Sequence, residues 1–296
     1  MIRSSIGRPS LRKLITSCMV ILFSPGIIAA GESYSVATHT DISYVAGSSN
    51  PKQQLDIYQP EGRQDAPVIF FAYGAGWSEE GMSERSLYRA FGDTMAGYYG
   101  YVTVVVDTRQ SPEVIFPSFM EDLADAYVWV MNHIEAYGGD RANVFLVGHS
   151  SGAHMVALLA TDSSYLTTRG YNLNSFAGVI PISGTYNLNL LPRIYDDMIE
   201  AAFGSLDPET LSEASPTSYV GRGLRPFLVL HAQTDMPACT SQAIGLYGEL
   251  RVFGNDADIQ VLTGLTHVTE IAELTPDNPD LVTAVAISTF IDTHLR

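Results

Sequence analysis

Short apolar segments recur along the chain and are separated by stretches with helical periodicity. Most of their residues are β-branched or aromatic, as in parallel strands that are buried on both faces. The segments are Val68–Tyr73, Tyr101–Val106, Val144–Val147, Gly178–Ser183, Phe227–His231 and Ile259–Leu262. Alternating strands and helices predict an α/β domain, with a mostly parallel central sheet flanked by helices. Ligands bind such sheets at the carboxyl ends of the strands, so we expect the chemistry just after each segment.

The flanking segments complete this prediction. Apolar residues from Met120 to Ile134 recur at spacings of three and four, which indicates a helix that Gly138-Gly139 ends. Upstream, Tyr34–Tyr44 and Gln53–Tyr58 predict an antiparallel pair at the sheet edge. The chain has 296 residues, of which 46% are hydrophobic. This length suits one large α/β domain, and we expect residues 31–296 to form it.

Residues 1–30 differ from the rest of the chain. Their charged residues are all basic, and the first acid is Glu32. An apolar run, Leu14 to Phe23, follows the basic residues, and the small residues Ala29-Ala30-Gly31 come next. This order predicts a secretory signal peptide cleaved near Ala30 or Gly31, and a secreted or periplasmic protein with no stable membrane association after cleavage. An uncleaved anchor is the alternative, although the run is short for a bilayer span.

The overall charge limits the kinds of partner. The chain carries 16 Lys+Arg against 32 Asp+Glu, a net charge of −16, and an acidic surface repels nucleic acid. After the signal only Cys239 remains, so no internal disulfide is expected. We interpret Cys239 as a buried structural residue, with a catalytic thiol as the alternative. We find no metal-ligand cluster and no phosphate-binding loop, so no metal and no cofactor is predicted.

The segment Gly148–Gly152, with the sequence GHSSG, matches the G-x-S-x-G pattern of a nucleophile elbow. It follows Val144–Val147 and precedes a helical run, Ala153–Ala160, which is the setting that an elbow requires. The turn holds the serine hydroxyl in the cleft, and the N-terminus of the helix favours negative charge there. The flanking glycines centre the motif on Ser150 rather than on Ser151. We therefore predict Ser150 as the nucleophile; a solvated serine in a glycine-rich turn is the alternative.

An elbow on such a sheet predicts the α/β-hydrolase fold, whose triad runs in the chain order Ser, Asp or Glu, His. Of the seven histidines, His267 is the one that lies just after the last predicted strand, where a loop can reach Ser150. Asp235 follows the penultimate strand, and we predict that it orients His267. Asp207 and Asp256 are weaker candidates, because the first lies in an insert and the second precedes a strand. A surface-loop histidine is the alternative interpretation of His267.

The loop Tyr73–Trp77 follows the first parallel strand and is rich in small residues. A tetrahedral intermediate needs pre-organised N–H donors, each worth about 3 to 4 kcal/mol. Small residues let the backbone approach the substrate oxygen closely, although an ordinary glycine turn would look the same. The predicted oxyanion donors are the N–H groups of Ala75, Gly76 and Ser151, and the predicted substrate-binding side chains are Trp77 and His149.

Further segments extend these motifs over most of residues 52–270. They are Leu55–Pro60 (similar to LDVYLP), Tyr73–Trp77 (HGGGW), Asp107–Pro117 (DYRL…FP), Tyr137–Asp140 with Gly148–His154 (YGGDP…GHSAGAH), Ser183–Leu188 (SGVYDL) and Ala214–Pro216 (ASP). The chain thereby resembles the branch of α/β hydrolases that includes arylformamidases and feruloyl-type carboxylesterases, close to the hormone-sensitive-lipase group. By that resemblance Ser150, Asp235 and His267 match the triad. Tyr73 departs from the pattern, because the family usually has a histidine there that braces the oxyanion loop.

These features lead to three hypotheses about function. The first is a serine hydrolase of carboxylic esters with small or aryl groups, whose partner is a small-molecule ester. The second is an arylformamidase, which cleaves an amide-like C–N bond; a secreted protein fits this intracellular chemistry poorly. The third is a non-catalytic binding protein with a hydrolase fold, and the intact Ser, Asp and His weigh against it.

The segment Tyr186–Tyr219 interrupts the alternation after the sixth predicted strand, so we predict a helical insert that caps the cleft. Its apolar residues from Leu188 to Phe203 have the spacing of one amphipathic helix. We hypothesise that Tyr195, Met198 or Phe203 limits the length of the acyl chain. The alternative is that this face only packs on the core.

Overall fold

The computed structural model describes residues 33–79 and 84–296, and its sheet joins eight strands in the order β1-β2-β4-β3-β5-β6-β7-β8. The strands are β1 (Val36–Ser43), β2 (Gln54–Pro60), β3 (Ala66–Ala72), β4 (Val102–Val106), β5 (Gly139–His149), β6 (Gly178–Ile182), β7 (Phe227–Thr234) and β8 (Ala257–Thr266). β2 pairs antiparallel with β1 and β4, and the other neighbours are parallel. The predicted mostly parallel sheet with an antiparallel edge is confirmed.

Several strands are longer than the apolar segments that predicted them. β5 begins at Gly139 instead of Val144, and β7 and β8 extend to Thr234 and Thr266. The added residues are largely exposed or partly exposed, whereas the centres of β5 and β7 are buried. Apolar runs mark only the part of a strand that the helices cover, so they underestimate its length.

Helices pack on both faces of the sheet. The α-helices are α1 (Arg89–Gly97), α2 (Ser118–His133), α3 (Ser151–Thr161), α4 (Ser164–Thr167), α5 (Asp196–Phe203), α6 (Pro208–Glu213), α7 (Cys239–Val252), α8 (Thr269–Ala272) and α9 (Val282–Thr293). Single 3-10 turns lie at Arg85–Tyr88, Ile134–Tyr137, Leu188–Leu190, Arg193–Tyr195 and Pro216–Tyr219. Among the described residues, no helix has both the length and the apolar character needed to cross a membrane.

The insert follows β6 as predicted, but the prediction of one amphipathic helix from Leu188 to Phe203 is wrong. Only the last part of that stretch, α5, is α-helical, and two 3-10 turns precede it. Pro192 lies between the turns and has no backbone N–H to continue a helix. Leu190 and Ile194, which the helical pattern would have buried, are 71% and 72% exposed.

The side chains of the central strands point alternately to the two faces of the sheet, and this divides the core into two layers. Phe70 of β3 packs in the layer that contains α2 and α3, whereas Phe71 packs on the opposite face with α1. Successive side chains of a strand point to opposite faces, and burying each of these rings stabilises the fold by about 1.5 to 3 kcal/mol. The two layers cover both faces of the central strands. Residues Glu32–Arg296 form one compact unit, and the predicted signal peptide, residues 1–30, lies outside the described residues.

Candidate active site

Ser150 occupies the turn between β5 and α3, with φ 55° and ψ −121°. A positive φ is uncommon for a residue with a side chain and marks a strained position. The flanking glycines are required by close packing: a Cβ on Gly148 would clash with the backbone of Gly152, and one on Gly152 would clash with the carbonyl of Ala72. The tight turn thus holds the Ser150 hydroxyl above the edge of the sheet.

The structure brings Ser150 together with the two residues predicted as its partners. Nε2 of His267 lies 2.9 Å from Oγ of Ser150, and Nδ1 of His267 lies 2.7 Å from Oδ1 of Asp235. Asp235 directly follows β7 and His267 directly follows β8, so the register of the sheet sets their separation. Nδ1 of His267 donates to the carboxylate, which leaves Nε2 as the acceptor for the serine proton.

Asp235 is held by several donors. Ser183 donates its hydroxyl to Oδ2 at 2.7 Å, and the N–H of Met236 donates to Oδ1 at 2.8 Å. Burial alone would raise the pKa of Asp235, but the hydrogen bonds from His267 and Ser183 outweigh it and hold the pKa below its usual range. The carboxylate therefore stays ionised. Ser183 was not predicted as a site residue, although it directly follows β6 at the same edge.

His149, predicted to bind substrate, lies beneath the loop of His267. Its Nε2 is 2.9 Å from the carbonyl oxygen of His267 and 3.1 Å from Oε1 of Glu270. The Glu270 side chain is fully buried, and its carboxylate contacts the His149 ring. Ligand atoms of His149, His267 and Glu270 lie within 4.8 Å of one another, as a metal ion would require. However, both ring nitrogens of His267 already contact Ser150 and Asp235.

The oxyanion loop contacts the nucleophile turn in an unexpected way. The N–H groups of Ala75 and Gly76 both donate to Oγ of Ser151, at 2.9 Å and 3.0 Å. The structure therefore brings together all three residues predicted for the oxyanion hole. The two loop N–H groups point to a side chain of the protein, which the sequence analysis did not foresee.

Tyr73, the departure from the family pattern, anchors the oxyanion loop from below. Its hydroxyl donates to the carboxylate of Asp107, and its ring stacks on Tyr88 with centroids 5.0 Å apart. Arg85 and Lys52 contact the same carboxylate at 2.9 Å and 3.4 Å. Tyr73 thus ties the loop to a buried ionic network.

Two cavities meet at Ser150 and His267. The larger cavity has a volume of about 450 Å³ and the smaller one about 150 Å³. Side chains of the larger cavity include Leu87, Tyr88, Phe91, His149, Ile271 and Leu274. Side chains of the smaller cavity include Trp77, Leu191, Tyr195, Met198, Met236 and Cys239. No Asp, Glu, Lys or Arg in the described part of the chain lines either cavity, so both suit uncharged groups.

Trp77, the other predicted substrate-binding residue, forms a wall of the smaller cavity. Its Nε1–H donates to Nδ1 of His154 at 3.1 Å, and Nε2–H of His154 donates to the carbonyl of Ala214 at 2.7 Å. Burial lowers the pKa of His154 to about 4, so this imidazole is neutral. Phe203 packs edge-on against Trp77 at 5.2 Å and does not line the cavity, unlike Tyr195.

Cys239 is buried and also lines the smaller cavity. Burial and the nearby charge of Asp235 raise the pKa of its thiol to about 12. A reactive cysteine needs the opposite shift, because the thiolate is the nucleophile. The environment of Cys239 therefore agrees with the structural interpretation.

Comparison with known proteins identifies a family that the sequence matches. The family model BD-FAE matches residues 55–250. The isoprenylcysteine alpha-carbonyl methylesterase ICME of Arabidopsis thaliana is 23% identical over 88% of this chain and 64% of its own length. The probable carboxylic ester hydrolase LipM of Mycobacterium tuberculosis is 27% identical over 77% of this chain and 55% of its own. The chain thus spans less than two thirds of either relative.

Solved structures of esterases share the fold. Esterase B from Lactobacillus rhamnosis, inhibited by a tributyrin phosphonate, superimposes with a TM-score of 0.74 at 21% identity, over 87% of this chain and 85% of that one. The hyperthermophilic esterase from Pyrobaculum calidifontis gives 0.70 at 21% identity, over 88% and 85%. These likenesses confirm the predicted α/β-hydrolase fold.

Proposed function

The chain belongs to the BD-FAE family, and we propose that it is a serine hydrolase of carboxylic esters. The observation that carries this proposal is the hydrogen-bonded series from Ser150 Oγ through His267 to Asp235 at the carboxyl edge of the sheet. The relatives named as methylesterase and carboxylic ester hydrolase, and the esterase structures, support the choice of ester over other acyl compounds.

In the proposed acylation step, Ser150 Oγ attacks the carbonyl carbon while His267 Nε2 takes its proton. The carbonyl π electrons move to oxygen and form a tetrahedral oxyanion. When this collapses, the bond to the alcohol oxygen breaks and His267 gives its proton to that oxygen. Asp235, ionised by its hydrogen bonds, stabilises the imidazolium in between.

In the deacylation step, water enters where the alcohol left. His267 takes one water proton as the hydroxide oxygen attacks the acyl carbon, and a second oxyanion forms. Its collapse breaks the bond to Ser150 Oγ, which recovers the proton from His267. The products are one carboxylic acid and one alcohol, and the protein is regenerated.

The two cavities suggest an asymmetric, uncharged ester. We assign the acyl group to the smaller cavity, because the group that stays on Ser150 during the second step is better held where space is limited. The alcohol then occupies the larger, aromatic-lined cavity from which it departs. A volume of about 150 Å³ suits a short acyl chain, whereas about 450 Å³ accepts an aryl alcohol.

Two series of 4-nitrophenyl and alkyl esters test this proposal. Activity should fall sharply as the acyl chain lengthens with the alcohol fixed, and only gradually as the alcohol grows with the acyl group fixed at acetyl. Including N-formylkynurenine compares esters with formamides. Faster turnover of the formamide than of every ester would favour the arylformamidase hypothesis.

A covalent label tests the nucleophile. A fluorophosphonate should label the wild type, and Ser150→Ala should lose both the label and turnover. Ser163→Ala, an exposed serine after α3, is the matched control and should keep both. Labelling of Ser150→Ala at the wild-type rate would place the nucleophile elsewhere. A wild type that binds esters without labelling or turnover would point to a binding protein.

Export is a separate part of the proposal. It rests on the basic, apolar and small residues that follow one another in residues 1–30. Expression of the full chain in a bacterium followed by N-terminal sequencing of the periplasmic or secreted protein tests it. A start near Ala30 or Gly31 is expected, and an intact N-terminus in the membrane fraction would indicate an anchor.

A further inference from the structure

The side chain of Ser151 lies at the centre of the oxyanion loop contacts. Its Oγ accepts hydrogen bonds from the N–H groups of Ala75 and Gly76, at 2.9 Å and 3.0 Å. A serine hydroxyl has two acceptor lone pairs and one donor proton. Both lone pairs are therefore in use, and the proton is the part of the hydroxyl that remains available.

The bonding of Ser151 leaves two donors without partners. Among residues 33–79 and 84–296, no group accepts the O–H of Ser151. The backbone N–H of Ser151 is also unpaired within that part of the chain, as expected for the first residue of a helix. Ser151 lines the smaller cavity together with Ser150. Two donors from one residue thus adjoin the nucleophile.

We propose that the Ser151 hydroxyl is itself a donor of the oxyanion hole. Its O–H and its own backbone N–H bind the substrate oxygen as that oxygen becomes negative. The N–H groups of Ala75 and Gly76 then act indirectly, because they hold and polarise the Ser151 hydroxyl instead of contacting the substrate. This inference rests on the proposed function of Ser150 as an esterase nucleophile.

The chemistry of the contact supports this role. Hydrogen bonds into the lone pairs of an oxygen strengthen its own O–H as a donor. They also fix Oγ before the reaction, as a pre-organised oxyanion hole requires. The competing arrangement has the substrate oxygen displace Ser151 from both loop N–H groups. It would break two hydrogen bonds and turn a side chain that is only 3% exposed.

Ser151→Ala tests the proposal, because it removes the hydroxyl and keeps the backbone N–H and Ser150. On a short-chain 4-nitrophenyl ester, kcat should fall about 10- to 100-fold, with KM changed by about twofold or less. A short-chain trifluoromethyl ketone, which forms a tetrahedral adduct with the nucleophile, should bind more weakly by a similar factor. Ser151→Cys keeps a side chain of similar size, but a thiol is only a weak hydrogen-bond donor. Its kcat and its affinity for the ketone should therefore fall almost as much as those of Ser151→Ala.

Thr161→Val, at the other end of α3, is the control for removing a hydroxyl from this helix, and it should keep both the wild-type kcat and the affinity for the ketone. An unchanged or raised kcat in Ser151→Ala would overturn the inference, since the loop N–H groups would then serve the substrate directly. A fall in kcat without a fall in ketone affinity would also overturn it. If Ser151→Ala does not fold, Ser151→Cys decides by the same two measurements. Absence of both ester turnover and fluorophosphonate labelling in the wild type would instead refute the proposed function.

Discussion

The carboxyl edge of the sheet and the insert between β6 and β7 are built in different ways. At the edge, Ser150, Asp235 and His267 each directly follow a parallel strand, so backbone register sets their positions. The insert is a series of short helices held by individual side-chain contacts. One is the bond from His154 to the carbonyl of Ala214, and another is the bond from the N–H of Leu188 to Ser215.

This difference separates chemistry from selectivity. The sheet edge carries the residues proposed to break the ester, and the insert supplies the wall of the smaller cavity through Tyr195 and Met198. A substitution at the edge should therefore change kcat, whereas one in the insert should change stability or the choice of acyl group. A substitution in the insert that changed kcat, or one at the edge that changed the choice of acyl group, would show that the two regions are coupled.

The largest expected effect is at the sheet edge. Asp235→Asn keeps the shape of the side chain but favours the wrong tautomer of His267, so kcat should fall by about 10⁴-fold. Steady-state kinetics measure this, and thermal melting should show that the variant folds. Asp256→Asn, at an exposed carboxylate just before β8, is the control and should keep its activity. Near-normal turnover in Asp235→Asn would remove Asp235 from the triad.

Phe203 tests the part of the insert that belongs to the core. Its ring is 3% exposed and packs against Trp77, Phe116 and Phe119. Phe203→Ala should lower the free energy of unfolding by about 3 to 5 kcal/mol, as cavity-forming substitutions do. Denaturant titration measures the loss. The preferred acyl length should stay the same, and a shift in it would assign Phe203 to the pocket.

His154, which joins α3 to the insert through its bond to Ala214, makes the free energy of unfolding depend on pH. Its pKa is lowered to about 4 in the fold, whereas the unfolded chain has the ordinary value near 6.5. The unfolded state therefore binds more protons between these values. The contribution of neutral His154 to the free energy of unfolding is complete above about pH 6.5. It is lost as the pH falls towards 4, by about 3 kcal/mol in total.

Unfolding free energies of the wild type and His154→Gln, measured from pH 7 to pH 4, test this expectation. The variant should be less stable at pH 7, since Trp77 and Ala214 lose their partner. Its stability should decline less steeply on acidification. Parallel curves for the two proteins would show that His154 titrates normally in the fold.

The smallest expected effect concerns Met198, which lines the smaller cavity. Met198→Ala should enlarge that cavity, so the ratio of kcat/KM for hexanoyl over butanoyl esters should rise about tenfold, in line with one or two added methylenes. Ile194→Ala, 72% exposed in the same insert, is the control. An unchanged ratio with a lowered melting temperature would mean that Met198 only supports the core.

The sequence was most informative where local pattern and chain order determine structure. Strands were recognisable from buried β-branched runs, and the elbow and chain order pointed to Ser150 and His267. The insert was predicted wrongly because helical spacing alone does not reveal the effect of Pro192. This residue has no backbone N–H to continue a helix, and it lies between the two 3-10 turns that precede α5.

Other contacts distant in sequence, which neither a motif nor the chain order marks, were not predictable. Ser183 reaches Asp235 across 52 positions, and the loop N–H groups reach Ser151 across 75 and 76. Glu270 had no predicted role, and it is fully buried beside His149. Each of these depends on how strands and loops meet in three dimensions, which no spacing in the chain encodes.

The apolar lining of the larger cavity affects which molecule attacks the acyl-enzyme. Once the first alcohol has left, Leu87, Phe91 and Ile271 offer a water molecule few hydrogen-bond partners there. An alcohol with an alkyl or aryl tail would gain contact with the same side chains. Under the proposed function, the acyl group in mixed aqueous solvents would then partition towards transesterification, with an acceptor that resembles the released alcohol.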